Sequence, residues 1–548
     1  MTTTHARTRA RLVRELRVIA NRFGDDSTAR KQAALELLRG LPLAEDQALL
    51  DYHDALLFLA AHPSDAAMQR SIESEFARLA AFLKPRRGRH KPLLANHGLP
   101  WVDTTTRFSH DCLRWLLAHP QCRVAIDQAG EPLLDLNAVL KLTLPALERG
   151  ETSAGLDNDT LLDALKVRPA QRLAFLVNEL GRLDALPYAK DQLFDALDLF
   201  VRVAPTSAAL SKAGNRLDMG GKVFFQAELL RHFDPLQVMN QPLGKPRRLS
   251  DDARQDVIRV LKNTMLLTSR ETDPATYLDP AALRVHDLER GLSVAMFGMA
   301  PARQLPLESY VGFTLFKNGF PVAYGGAWLL GERAAFGMNI FEPFRGGESG
   351  FMMCQVLRAY RQTFGVRYFE VDAHQFGLDN PDGIASGAYW FYWRHGFRSL
   401  TPALRALAER ERKRITATPG YRSPENTLLR FTESSVALNF GGPVPPQLAD
   451  VTARVTRMIA RVYRGDRVKA EADCATRFAQ AAALTSRPTT DERRVLAEVG
   501  LIWRALNVQD AESIALLARM VRAKPKDLFA YQRLLLKFFA RLPSRRAA

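Results

Sequence analysis

Six consecutive residues, Arg345, Gly346, Gly347, Glu348, Ser349 and Gly350, combine a cation, three glycines and a hydroxyl between a run with strand character and a run with helical spacing. A glycine-rich turn that leaves a strand and opens a helix gathers unpaired backbone N–H groups at the positive end of the helix dipole, and glycine lets an anion approach closely. That combination suits a pyrophosphate, with Arg345 as the cationic partner. A capped helix start, in which Glu348 or Ser349 caps and the glycines only turn the chain, is the alternative that needs no ligand. Downstream, Glu370, Asp372 and His374 alternate along an expected strand, which puts all three side chains on one face of a sheet. Such a group can take a proton from an amine, directly or through water, and Glu342 at the end of the preceding strand is a second candidate base. Salt-bridged or solvated carboxylates are the plainer alternative for each acid. Cys112, Cys122, Cys354 and Cys474 lie far apart without a C-x-x-C pair, which argues against a zinc site and against a secreted disulfide framework. No metal is expected, and a reducing, cytoplasmic setting fits these cysteines.

The stretch Pro343-Phe344-Arg345-Gly346-Gly347-Glu348-Ser349-Gly350 resembles the acetyl-CoA pyrophosphate loop of the GNAT superfamily of N-acetyltransferases: Arg or Gln, two residues, Gly, one residue, then Gly or Ala. Further on, Ala388-Tyr389-Trp390-Phe391-Tyr392-Trp393-Arg394-His395-Gly396-Phe397 resembles that family's late helix, A-x-x-x-Y-x-x-x-G-F. The two motifs occur in the right order, and the resemblance covers about residues 269–441. It implies an α/β (α+β) fold whose central mixed sheet is splayed between strands 334–341 and 367–373. It also implies an acetyl-CoA or other acyl-CoA donor held at Arg345 to Gly350, direct attack of an amine acceptor on the acyl carbon, and Tyr392 as the general acid that reprotonates the leaving thiolate. A phenol is protonated at neutral pH, as that role requires. Two positions depart from the family: Glu348 stands where its first glycine usually is, and Ala385 stands where an asparagine often contacts the cofactor. Two further readings share the fold. The stretch GGAWLLGERAAFG followed by GES is similar to leucyl/phenylalanyl-tRNA-protein transferases, which would make the chain an aminoacyl-tRNA-dependent transferase. A non-catalytic GNAT-like scaffold binding a protein partner is the other.

Holding these residues in place requires strands that end at the turn and helices that start there. Residues 292–299 form a short apolar run suited to a buried strand, and 310–316 and 322–329 are strand-like runs joined through Asn318-Gly319, a dipeptide suited to a tight hairpin turn. Residues 334–341 continue the antiparallel series. A helix follows the turn with Phe351, Met352, Val356, Leu357, Tyr360 and Phe364 on its apolar face and Gly365 as its stop. The strand 367–373, an aromatic helix 384–395 and strands 428–431 and 436–440 complete the expected sheet region. Residues 1–250 read as helical throughout, beginning with a helix on Leu12, Leu16, Ile19 and Phe23, and 442–548 read as helical again. The expected division is therefore 1–250, 251–441 and 442–548, with all-helical flanks around the α/β centre.

With 548 residues and 47% apolar content, the chain excludes disordered, collagen-like and small disulfide-rich classes. No run approaches the roughly 18 apolar residues of a membrane span. The basic run Arg7 to Arg17 is followed by no apolar core, so a secretory leader is not expected. The net charge of +17 sits unevenly: residues 292–400 carry nine basic and eight acidic side chains, whereas 441–548 carry twenty and ten. A nucleic-acid partner for that basic flank is considered but not favoured; the separate basic clusters at 84–91 and 245–248 lack interleaved aromatics and read as solvated loops. His62 and His119 each close a helix before a proline, where a histidine favours the dipole more readily than it forms a metal pair.

Overall fold

Residues 122–129, Cys-Arg-Val-Ala-Ile-Asp-Gln-Ala, place Cys122, Val124 and Ile126 at every second position, and in the computed structural model, which describes residues 3–542, they form a strand with these three turned inward. This strand, β2 (Cys122–Ala129), and β1 (Thr104–Thr106) flank β3 (Leu199–Pro205) in an antiparallel three-stranded sheet. The expectation of an all-helical region over 1–250 is corrected by this sheet. Most of the β2 residues are exposed, and the stronger helical periodicity around them masked the alternation in CRVAIDQA and LFVRVAP.

The chain groups into two compact units: Met1–Leu229, Gln255–Thr276 and Asn318–Phe320 make the first, and Leu230–Arg254, Tyr277–Lys317 and Pro321–Ala548 the second. This grouping cuts across the expected divisions near 250 and 441. In the first unit, helices Thr3–Ile19, Asp25–Arg39, Gln47–Ala61 and Ala66–Leu83 follow one another. Asp46 and Asp65 cap the third and fourth by accepting from the N–H groups of Leu49 and Met68. Leu113, Leu140, Leu161, Leu176 and Leu180 pack with Val201 and Val203 of β3 into one core.

The second unit is built on an eight-stranded sheet of β4 (Arg284–Asp287), β5 (Leu292–Phe297), β6 (Ser309–Lys317), β7 (Phe320–Leu330), β8 (Arg333–Ile340), β9 (Tyr368–Val371), β10 (Arg398–Ser399) and β11 (Val436–Asn439). Its order is β10-β11-β9-β8-β7-β6-β5-β4, so the chain is mixed α/β. The turn between β6 and β7 has φ of 48° at Asn318 and 83° at Gly319, the left-handed pair that a two-residue turn demands. The β7–β8 pair is antiparallel, β8–β9 is parallel, and a parallel step needs a crossover, which the helix Ser349–Phe364 supplies. Gly365 ends that helix at φ 72°. Two expectations are corrected here. Residues 428–431 belong to the helix Glu425–Phe431, not to a strand, because Pro424 and Glu425 open a helical turn ahead of the segment Leu428-Leu429-Arg430-Phe431, which is too short to decide by itself. The aromatic helix is split by Gly387, at φ 64°, into Pro381–Ser386 and Ala388–Arg394.

Five helices follow β11: Leu448–Tyr463, Arg467–Ala481, Thr490–Leu506, Ala511–Ala523 and Leu528–Arg541. Phe478, Leu517, Leu535 and Phe538 bury against Leu307 and Leu330 of the sheet region. Gln532 donates to the carbonyls of Gly331 and Phe364 at 2.8 and 3.2 Å, tying the last helix to β7 and to the crossover helix. Part of the basic excess in this region is spent on ion pairs, including Arg477–Asp473, Lys524–Glu498 and Lys526–Glu492. Among the described residues, no helix is long and apolar enough to cross a membrane.

Candidate functional site

The parallel strands β8 and β9 pair only at Arg333↔Tyr368, Ala334↔Phe369 and Ala335↔Glu370. β8 runs on to Ile340, while β9 ends at Val371. From Phe336 onward, β8 therefore has no β9 partner, and a wedge opens between them. Gly337 lies in that wedge, where a Cβ would meet the Gln375 side chain at 3.5 Å.

β8 leads through a short 3₁₀ turn, Glu342–Phe344, into the glycine-rich turn. Gly346 takes φ 81°, which only glycine adopts readily. Arg345 is exposed and donates from Nε to the Ile340 carbonyl at 3.3 Å. The N–H groups of Gly346, Gly347, Ser349, Gly350 and Phe351 have no acceptor among the described residues, and they stand at the start of the crossover helix. Glu348 occupies the cap position without capping: its side chain is turned inward and buried. Oε1 accepts from Arg290 at 2.7 and 2.8 Å and from the Leu230 N–H at 2.9 Å, and Oε2 accepts from Lys317 at 3.2 Å. Burial by itself raises the Glu348 carboxyl, but Lys317, the Leu230 N–H and Arg290 outweigh it and hold the group below the ordinary glutamate value. Burial pushes the Lys317 amine down to about 8 against the pull of Glu348. The carboxylate expected beside the pyrophosphate is thus neutralised by two cations.

His395 closes over the first helical turn, since a Cβ on Gly350 would come within 2.3 Å of its Nε2. Its Nδ1 bonds the Phe391 carbonyl at 2.6 Å, so Nδ1 carries the proton and Nε2 the lone pair. Burial lowers its pKa and keeps the ring neutral. Phe233 lies against the same turn, with its ring centroid 5.7 Å from that of Phe351 and 6.0 Å from that of His395. His395 is a neutral proton acceptor at the turn that sequence reasoning passed over, because it read as the end of an aromatic helix.

The proposed acid–base residues do not converge as the sequence reading expected. Tyr392 is buried, 4% exposed, with its ring against Phe376, Phe391 and Phe397. Its hydroxyl has no hydrogen-bond partner among the described residues, and burial raises its pKa, which keeps the phenol protonated. Glu370 is ion-paired to Arg333, which also donates to the Pro445 carbonyl. Glu342 sits exposed in the 3₁₀ turn. The alternation of Glu370, Asp372 and His374 on one sheet face is corrected: the strand stops at Val371, and Asp372 caps the next turn by accepting from the His374 N–H at 2.9 Å and from its Nδ1 at 2.7 Å. The bond from the His374 N–H, with the side-chain bond behind it, lowers the Asp372 pKa, and the side-chain bond raises that of His374. Among the described residues, no cluster of three or more His, Cys, Asp or Glu side chains could hold a metal.

Ala385 lines an open pocket of about 1070 Å³ bordered by residues of the helices Pro381–Ser386, Ala388–Arg394, Pro402–Ala417 and Glu425–Phe431. Trp390 and Trp393 form part of its wall. No sequence signal had joined these segments, because the helix Pro402–Ala417 is inserted between β10 and β11, far along the chain from β9. Compared with known proteins, the chain matches no family model, no curated protein and no solved structure.

Proposed function

We propose that the second unit carries a GNAT-like N-acyltransferase, which moves an acyl group from a CoA thioester to an amine. One observation carries this reading: the parallel β8–β9 pair separates after three positions, and the strand that runs on from it delivers a glycine-rich turn whose N–H groups are unpaired. Such a turn, with the helix dipole behind it and Arg345 beside it, suits a pyrophosphate. The wedge offers an extended thioester arm access to the free edge of β8. The thioester supplies an acyl carbon activated toward amines, and the chain's part is to orient it and to manage two protons. Tyr392, buried and protonated, serves as the proton donor to the departing thiolate, and His395, with its Nε2 lone pair at the turn, serves as the base. Glu348 no longer argues against an anion at the turn, because its charge is already balanced by Lys317 and Arg290.

The test is thermal unfolding with and without CoA. At about a hundred times its dissociation constant, a bound ligand adds about 2.7 kcal/mol of stability. The wild-type chain is expected to gain, and Gly347→Val, which crowds the turn, is expected to fold without gaining. No CoA-dependent shift in the wild-type chain overturns the reading, as does an equal shift in both.

A further inference from the structure

The cavity beside Ala385 in the second unit has a composition that names a ligand class. Its volume, about 1070 Å³, is at the upper end for small-molecule sites. Its lining includes Trp390 and Trp393 with Ile384, Ile415, Leu428 and Leu429, and the three arginines Arg394, Arg412 and Arg422. Ile415 and Leu429 remain 36% and 47% exposed, so apolar surface at the cavity is left uncovered.

The charges there do not cancel locally. Arg412 is paired with Glu409 and lies over the Trp393 ring at 5.6 Å. Arg394 and Arg422 have no carboxylate partner among the described residues, although both line the cavity. Of the two acids on the wall, Asp379 is bridged to His374 at 3.5 Å, and Glu425 opens the helix Glu425–Phe431, where the helix dipole favours its charge. Two cations therefore remain to be answered. The indole N–H of Trp393 is buried and has no acceptor, whereas that of Trp390 donates to Ser423 Oγ at 3.1 Å and fixes the wall. Guanidinium groups without a carboxylate partner at an apolar pocket are a place where an anion lowers the free energy. Flat indole faces favour a flat apolar body.

We infer that this cavity binds an aromatic anion, a ring system carrying a carboxylate, sulfonate or phosphate, with the rings against Trp390 and Trp393 and the anion held by Arg394 and Arg422. This inference goes beyond acyl transfer and does not depend on it, since binding is read without CoA and without turnover.

The test uses the full chain and two fluorescent probes of the same shape, anionic anilinonaphthalene sulfonate and neutral N-phenylnaphthylamine, with energy transfer from tryptophan as the signal. The sulfonate is expected to bind saturably and more tightly than the neutral probe. The double variant Arg394→Gln/Arg422→Gln changes only exposed side chains and is expected to weaken the sulfonate about tenfold or more, the loss of one charge-assisted hydrogen bond, while leaving the neutral probe unchanged. Trp393→Leu is expected to weaken both probes. Equal affinity of the wild-type chain for both probes, or an unchanged sulfonate affinity in the arginine double variant, overturns the inference.

Discussion

Lys317 and Glu348 form an ion pair of 3.2 Å in which both side chains are withdrawn from solvent. Lys317 ends β6 and Glu348 immediately precedes the crossover helix, so the pair fastens the start of that helix to the sheet. Arg290, from the turn between β4 and β5, completes the cluster. The pair thereby holds the glycine-rich turn in position while keeping its one carboxylate away from the unpaired N–H groups.

Breaking this cluster on one side leaves a buried charge unanswered. Glu348→Gln is expected to cost about 3–5 kcal/mol in urea unfolding, and the double variant Lys317→Met/Glu348→Leu to recover much of that loss, since an apolar pair of similar volume needs no desolvation. The acid limb carries a second signature. Glu348 has a folded pKa below its unfolded value, so its contribution is present above the unfolded value and is lost as pH falls through the folded one. Stability measured against pH should fall less steeply below about pH 4.5 in Glu348→Gln than in the wild-type chain.

Lys31, in the first unit, is buried without a hydrogen-bond acceptor, and its ammonium lies 4.0 Å from the centroid of the Phe23 ring. Burial lowers its pKa from 10.5 to about 8. Between these values the folded chain binds fewer protons here than the unfolded chain, so stability should rise with pH across that window. Lys31→Met should be more stable than the wild-type chain at neutral pH and should lose that rise. Denaturant titrations at pH 7 and pH 9 check both, and a less stable Lys31→Met would mean that the Phe23 contact outweighs the burial.

The parts of this architecture set by local chemistry were legible in the sequence. Asn318-Gly319 marks a turn that few other residues accept, Gly365 stops a helix in the left-handed region, and the apolar stripe from Phe351 to Phe364 can only face a core. What the sequence concealed depends on distant partners. The inward rotation of Glu348 requires Arg290 and Lys317, 58 and 31 residues earlier, and no periodicity predicts that meeting. Asp372 could have continued a strand or capped a turn, and its bond to the His374 N–H decided it. The cavity walls come from helices inserted between β9 and β10 and between β10 and β11, so their shared surface exists only once the sheet has brought these three strands together.

Two histidines report opposite environments. The Asp372 hydrogen bond raises His374, and burial lowers His395. Proton NMR of the imidazole resonances should place His374 above and His395 below the ordinary value of 6.5. Asp372→Asn should bring His374 back toward that value and leave His395 unmoved. A common titration point for the two rings would contradict both contacts.

Tyr392 separates packing from chemistry, because its ring is held by Phe376, Phe391 and Phe397 and its hydroxyl by no described residue. Tyr392→Phe removes the hydroxyl without removing a hydrogen bond, so unfolding free energy should change by no more than about 0.5 kcal/mol. If Tyr392 returns the proton to the departing thiolate, the same substitution should lower kcat by about 10² while KM for the acyl donor stays unchanged, the pattern of an interaction made mainly in the transition state. The raised pKa extends the argument to alkaline pH: the phenol stays protonated beyond the usual tyrosine range, so the rate should not fall near pH 10 through loss of this proton. Full activity in Tyr392→Phe would assign the ring to packing alone and move the proton to water.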